Sequence, residues 1–551
     1  MTEVMDINKK LLSEKKWAFG LIFYILFFIP VFYFWAHNLS LQEKIAAWII
    51  CTITGLALSA IDLFLKKKGE KIYLTVLFLL SIVPNMIVWG YLYISNLCMK
   101  RDMFWVIFTT HAAESKEYLW DFISWEIVTV NILFLLVGIF LVIKARSEHS
   151  ISIKKHRPLF IFSIAIVLTG TILQYTAQTI PMFDFYKSRL RFWEANRIFE
   201  EEKKMRKDLK MEVECLSPDS VNHVFVVILG ESASTCHMSL YGYHRQTTPH
   251  MDSVQDELAI YTDIVTPENH TIGAMQKILT FANHKHPEFY MQKPSVIEMF
   301  NAAGFETYWI TNSAPLTKWG GGYGVIAQES KHFFDLSPLE QDDGIILPSL
   351  DKAFSDGIKG NKIIFLHLIG NHHAYNCRYP KEFDHFDHKK NNDLPDLGFR
   401  DEKMMKTIDE YDNSILYGDF VYYSILKRVK NLNESSFLLF FSDHGEEVND
   451  TRSARGHFMS DVYPCQARVP LVLWRSEKYK EEMPDIVIDT SRPYSIENVI
   501  YSLSTLSALQ YSGYDRSASL FSGEYVVPEK RLVGTEDYEK DIIPKVYLKN
   551  K

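Results

Sequence analysis

The feature that most constrains this chain is where its apolar runs fall. Of 551 residues, nearly every run long enough to cross a hydrocarbon core lies before residue 180, and the remainder has the charge density of a water-soluble domain. Five runs, at 17–35, 45–65, 72–97, 124–143 and 158–177, have the length of about 20 residues that a bilayer demands of a helix. Pro84 and Asn85 are expected to kink the third. The first run is too long for a signal-peptide core and no small-residue cleavage site follows it, so it reads as an uncleaved membrane helix. Basic residues orient the set. Lys9, Lys10, Lys15 and Lys16 precede it, Lys66, Lys67, Lys68 and Lys71 follow the second run, and Lys144, Arg146, Lys154, Lys155 and Arg157 follow the fourth. All these groups lie on one side, which the positive-inside rule makes cytoplasmic. Five crossings from an inside start carry everything after about residue 178 to the outer side.

Two segments fit neither part. The piece at 103–110 is too short to span; it either lies in the interface, where it could help hold a lipid headgroup, or is a plain amphipathic connector. Residues 183–211 mix aromatics with dense Arg, Lys and Glu, as an amphipathic helix along a membrane surface or a solvated charged helix would. The expected organisation is a membrane domain at 1–180, a linker at 181–220 and an outer domain at 221–551. Net charge, -8, averages unlike halves, and no basic stripe with interleaved aromatics argues for nucleic acid. Cys215, Cys236, Cys377 and Cys465 lie in the outer part, where disulfides are permitted and these four allow three pairings.

Beyond Val221, apolar runs at 224–230, 307–312, 362–368, 437–443 and 469–474 alternate with helical patterns. Their near-continuous apolarity suits strands buried on both faces of a mostly parallel sheet, and the pattern predicts an α/β sandwich. Ligands bind at the carboxyl ends of such strands. There the sequence places Glu231 after the first run, His367, His372 and His373 around the end of the third, and Asp443-His444-Gly445-Glu446 at the end of the fourth. A carboxylate and an imidazole on adjacent residues can grip one divalent ion, and oxygen and nitrogen donors without thiolate suit zinc, with manganese a competitor. The tail after Ser476 carries no readable chemistry.

The motifs GES (230–232), MSLYGYHRQTTP (238–249), LHLIGNHHAYNCRYP (366–380) and FFSDHGE (440–446) resemble those of the bacterial phosphoethanolamine transferases, membrane-anchored members of the alkaline phosphatase and sulfatase superfamily. The resemblance covers 224–474 and extends to the layout, five membrane helices before a periplasmic domain in the inner membrane. It implies that Glu231, Asp443 and His444 are zinc ligands and that Thr271, in Asn269-His270-Thr271-Ile272-Gly273-Ala274, is both nucleophile and metal ligand. One zinc is expected, with room for a second. The resemblance makes His372 and His457 phosphate- or second-metal-binding residues, and His367 a weaker member of that group. The implied donor is phosphatidylethanolamine and the acceptor an envelope glycolipid or glycan, lipopolysaccharide lipid A or core first among them.

Other readings compete. A threonine opening a helical run is ordinarily an N-cap, and Thr266 and Thr280 are neighbouring candidates for the nucleophile. His373, His385 and His388 read as surface histidines, and Cys236 as the partner of another outer cysteine. No Cys/Ser-x-Pro-x-Arg pattern surrounds residue 271, which disfavours a sulfatase. A phosphoglycerol transferase of the same superfamily is the enzymatic alternative; a non-catalytic membrane-anchored sensor is the other.

Overall fold

The computed structural model describes chiefly residues 40–62, 64–95, 124–144, 152–177, 185–190, 209–217, 222–313, 323–336, 342–391, 393–457 and 461–546. Two compact units divide at Glu194.

In the first unit, α1 (Leu41–Asp62), α2 (Lys67–Ser95), α3 (Trp125–Lys144) and α4 (Arg157–Ala177) coincide with four of the five expected runs. Three helices among the described residues are long and apolar enough to cross a membrane, in α1, α2 and α3. The apolar stretch of α4 assessed there is shorter, Arg157–Thr169. Most of the expected first span, of the 103–110 piece and of the 183–211 linker lies outside the described residues. Leu58, Leu74, Phe78, Ile82, Leu141 and Val142 pack together inside the unit. Ile53, Leu56, Leu133, Leu136 and Ile143 are exposed. Helices apolar on both faces belong in lipid. Helix α2 runs on through Pro84, and Asn85 Nδ2 donates to the Ser81 carbonyl at 2.8 Å, satisfying backbone polarity in the turn that proline disturbs.

The second unit is built on a seven-stranded sheet. Its strands are β1 (His223–Gly230), β2 (Leu258–Tyr261), β3 (Glu306–Thr311), β4 (His332–Asp335), β5 (Lys362–His367), β6 (Ser435–Ser442) and β7 (Leu471–Arg475). The spatial order is β2-β7-β6-β1-β5-β3-β4. Strand β1 runs parallel to β5 and β6, β3 parallel to β5 and β4, and β7 antiparallel to β6 and β2. The five apolar runs are thus five strands of one mostly parallel sheet; β2 and β4 are shorter edge strands that periodicity did not reveal.

Alternation along the strands feeds two cores. Phe225, Val227 and Leu229 meet Phe365, Phe437 and Leu439 on one face, under α5 (Thr271–Ile278), α6 (Val296–Ala302) and α9 (Val499–Leu506). Val224, Val226 and Ile228 meet Ile364 and Leu438 on the other, under α7 (Leu347–Ser355) and α8 (Glu402–Leu432). Sequence fixes the helix ends locally: Ser295 and Glu298 close a capping box on α6, and Asp401 accepts from Met404 N–H at the start of α8. The tail after Ser476 completes the first core through α9, whose Val499, Ile500, Leu503 and Leu506 are buried. Its role is packing.

Candidate metal and nucleophile site

Strands β1 and β6 are neighbours, and their carboxyl ends deliver the site. Glu231 and Ser232 follow β1; Asp443 and His444 follow β6, where Asp443 N–H donates to the Gly230 carbonyl at 3.1 Å. Gly445 then passes under the segment 464–468: its N–H donates to the Gln466 carbonyl, and a Cβ there would meet the Cys465 carbonyl oxygen at 2.2 Å. Only glycine permits that approach. The third contribution is Thr271, the first residue of α5. Its cap residue is His270, and among the described residues no side chain caps this end, so the competing reading of Thr271 as an N-cap is not what the structure has. Thr266 is a brace instead: its Oγ1 lies 2.5 Å from the Asp443 carbonyl oxygen and 2.6 Å from that of Glu268, sharing its one hydrogen between them and tying the loop before α5 to the end of β6. Thr280 lies in the turn after α5, its hydroxyl on the Gln276 carbonyl.

Glu231, Thr271, Asp443 and His444 converge. Thr271 Oγ1 lies 3.1 Å from Glu231 Oε2 and 3.3 Å from both Glu231 Oε1 and His444 Nε2. His444 Nε2 lies 3.4 Å from Glu231 Oε1 and from Asp443 Oδ2. His444 Nδ1 is 2.9 Å from the Gly445 carbonyl oxygen, an acceptor only, so Nδ1 carries the proton and the Nε2 lone pair faces the group. Burial, helped by the neighbouring His457, pushes the His444 pKa down to about 4 and keeps the ring neutral. Burial and then the Asp443 charge raise Glu231 to about 7, and burial raises Asp443 to about 6. Asp443 Oδ2 is buried with no hydrogen-bond partner among the described residues. Two desolvated carboxylates, one of them with an orphaned oxygen, beside a lone pair and a hydroxyl are what a divalent cation would satisfy. The donors are oxygen and nitrogen, one atom each from Glu231, Asp443 and His444 lying within 4.8 Å of one another.

A second group adjoins it. His457 Nδ1 donates to Glu446 Oε2 at 2.9 Å, and the Tyr375 hydroxyl donates to Glu446 Oε1 at 2.7 Å. The His444 and His457 rings are 4.3 Å apart, and His372 lies 6.4 Å from His457. Burial opposes charge on His457, yet Glu446, Glu231 and Asp443 outweigh it and hold its pKa up at about 9. It is an imidazolium at neutral pH. His367 goes elsewhere. Among the described residues its partners are Thr311 Oγ1 (3.4 Å) and the rings of Trp309 and Tyr323, not the Glu231 group. Asn371 Nδ2 likewise turns to Ser414 Oγ at 2.8 Å.

Comparison with known proteins places the chain in a family. The sulfatase family profile matches residues 223–508. Phosphoethanolamine transferase EptC of Escherichia coli K12 is 28% identical over 529 residues, 90% of this chain and 91% of that protein. CptA of Salmonella typhimurium, another phosphoethanolamine transferase, is 28% identical over 532 residues, with the same shares of the two chains. The crystal structure of the C-terminal periplasmic domain of E. coli EptC is 31% identical, with a TM-score of 0.58, over 61% of this chain and 98% of that one. The chain belongs to the phosphoethanolamine transferase family. A zinc complex of the same EptC domain is 30% identical, with a TM-score of 0.57. Integral-membrane EptA of Neisseria meningitidis, at 16% identity and a TM-score of 0.67 over 92% of this chain, shares its fold.

This phosphoethanolamine transferase is therefore an enzyme, a multi-pass inner-membrane protein with a catalytic domain homologous to a periplasmic one. Several of its structural features escaped the sequence. Cys236 pairs with Cys465, Cα–Cα 5.7 Å, linking the loop after Glu231 to the segment that overlies Gly445; spacing alone left three pairings open. Glu446 ends the motif FFSDHGE at 440–446, but its partners Tyr375 and His457 lie 71 and 11 residues away in sequence. His388 is not a surface histidine: it is buried, its Nδ1 on Asp409 at 2.5 Å. Arg245, in the motif at 238–249, is buried among Asp393, Asp409 and Asp412, a charge network that fastens this loop to α8.

Proposed function

We propose that the protein moves phosphoethanolamine from phosphatidylethanolamine to an envelope glycolipid or glycan, lipopolysaccharide lipid A or core foremost, through a phospho-Thr271 intermediate. In this reading residues 1–180 form a five-helix anchor with a cytoplasmic N-terminus, 181–220 link it to the outer side, and 221–551 form the periplasmic catalytic domain. Glu231, Thr271, Asp443 and His444 would hold one zinc ion. Bound there, zinc supplies positive charge that acidifies the threonine hydroxyl and neutralises phosphoryl oxygens.

The chain's own residues carry the rest. Thr271 Oγ1 gives up its proton and attacks phosphorus, the bond from phosphorus to the diacylglycerol oxygen breaks, that oxygen takes up a proton and leaves as the diacylglycerol hydroxyl, and phosphoethanolamine remains on the threonine. An acceptor hydroxyl or phosphate then displaces it, regenerating Thr271. His457, fixed through Nδ1 by Glu446, directs Nε2–H at phosphate oxygens, and His372 adds a second donor close by. The observation that carries the reading is Thr271 Oγ1 at 3.1 to 3.3 Å from Glu231 and His444 at the start of α5. A threonine whose hydroxyl serves no cap and faces buried ligand groups is placed for chemistry.

The test is mass spectrometry of envelope glycolipids from cells with and without the protein. One added phosphoethanolamine group, present with the wild type and missing with Thr271→Ala, is the expected result. Modification that survives Thr271→Ala refutes the covalent route. Headgroup release from phosphatidylglycerol rather than phosphatidylethanolamine would establish the phosphoglycerol alternative.

A further inference from the structure

The turn after β1 is more constrained than supporting one ligand requires. Ser232 is fully buried and sits at φ 55°, a left-handed conformation that L residues other than glycine seldom adopt. All three of its polar groups are engaged. Its Oγ donates to Glu231 Oε1 at 2.8 Å, and its N–H donates to Asp443 Oδ1 at 3.1 Å. Its carbonyl accepts from the Tyr411 hydroxyl of α8 at 2.6 Å, and the same Tyr411 oxygen accepts from Ser234 N–H at 3.0 Å. Backbone fit alone would favour glycine here. Serine adds a hydroxymethyl group, and its hydroxyl is directed at Glu231.

The effect is to occupy one oxygen of each carboxylate. On Asp443, Oδ1 also accepts from His444 N–H at 2.7 Å, which leaves Oδ2 without a hydrogen-bond partner among the described residues. On Glu231, Oε1 accepts from Ser232 while lying 3.3 Å from Thr271 Oγ1 and 3.4 Å from His444 Nε2; Oε2 receives nothing from Ser232 and is the oxygen nearer Thr271 Oγ1. One oxygen from each, with His444 Nε2 and Thr271 Oγ1, makes four donor atoms, the number that zinc favours. Carboxylates free to turn could each offer two oxygens and serve larger, oxygen-preferring cations of higher coordination number.

We propose that Ser232, held in its left-handed turn by Tyr411, is a positioning residue that restricts Glu231 and Asp443 to one oxygen each and so fixes a four-coordinate zinc site. This rests on the metal set given under Proposed function. Second partners of metal ligands typically govern affinity by ten- to a hundredfold.

The test uses the full-length protein in detergent, stripped by a chelator and titrated with Zn2+ and with Co2+. Ser232→Gly keeps or raises the melting temperature of the metal-free protein, because glycine suits the turn, yet weakens Zn2+ binding about ten- to a hundredfold. Its Co2+ complex loses visible absorption as coordination rises above four. Ser232→Thr does the opposite: the β-branch lowers the melting temperature at this φ, while the retained hydroxyl keeps Zn2+ affinity close to wild type. Tyr411→Phe weakens Zn2+ binding without removing Ser232. A Ser232→Gly protein with wild-type Zn2+ affinity and Co2+ spectrum overturns the proposal, as does a Ser232→Thr protein that loses Zn2+ as severely as Ser232→Gly. Unchanged affinity in Tyr411→Phe removes Tyr411 from the assignment. A wild-type protein that binds no Zn2+ overturns the underlying metal reading instead.

Discussion

Gly370→Ala should damage the enzyme without touching a catalytic group. Gly370 lies in the turn after β5 at φ 52°, and its N–H donates to Asp343 Oδ2 at 3.1 Å. A Cβ there would lie 2.6 Å from the Glu231 carbonyl oxygen and 2.8 Å from the Glu231 nitrogen. Those neighbours are backbone, so no side-chain rotation relieves the overlap. Left-handed geometry costs alanine about 1 kcal/mol. The two backbone segments must also separate by about 0.8 Å to regain ordinary contact. That strains the bond from Asn371 N–H to the Glu231 carbonyl, now 2.9 Å, for about another 1–2 kcal/mol. A total of about 2–3 kcal/mol corresponds to a fall of several degrees in melting temperature. The larger effect is on rate. Moving Glu231 by most of an ångström misplaces it relative to Thr271, and misplacement of about 1 Å can cost about a hundredfold. Thermal unfolding and headgroup release from labelled phosphatidylethanolamine in detergent read both numbers. A Gly370→Ala protein that melts with the wild type and turns over within about twofold of it would refute the close-packing argument.

Zinc binding should release protons in a pH-dependent way. With Glu231 raised to about 7 and Asp443 to about 6, both carboxyls are protonated in the metal-free protein at pH 5 and ionised near pH 8. Zn2+ therefore displaces close to two protons at the acid end and close to none at the alkaline end, and its affinity rises across that window. In the metal-free protein the same two raised pKa values favour folding at low pH, a contribution lost as pH rises through about 6 and 7. Calorimetry in buffers of different ionisation enthalpy measures the release, and a pH-independent count would refute the assignment. Thr271→Ser keeps a hydroxyl and should retain transfer where Thr271→Ala has none; equal loss in both would argue against oxygen attack from this position. Replacing Cys236 and Cys465 by Ala removes a cross-link between residues 229 apart in sequence, worth up to roughly 5 kcal/mol in the chain-entropy picture. Urea unfolding with and without reductant checks this, and a wild-type protein indifferent to reductant would contradict it.

Much of the fold was legible because apolar periodicity is a local property. The runs beginning at Val224 and Phe437 became the adjacent strands β1 and β6, and the acidic residues that follow them lie at one sheet edge. Strands β2 and β4 were missed because four-residue edge strands with partly exposed side chains carry too little pattern. His367 shows where strand-end logic stops. Its place at the end of β5 was readable, but whether its ring meets the metal ligands or Trp309 and Tyr323 depends on packing between neighbouring elements.

The sequence by itself determined the membrane segregation, the alternation of buried strands with helices, and the residue types available at the strand ends. Each depends on the hydrophobicity and order of nearby residues. Only the tertiary structure decided that Thr271 opens a helix against Glu231 and His444, that Cys236 finds Cys465, and that Ser232 takes one oxygen from each of two carboxylates. Those are contacts between residues mostly tens to hundreds of positions apart. Their geometry is set by how sheet, helices and loops pack, which no local pattern encodes.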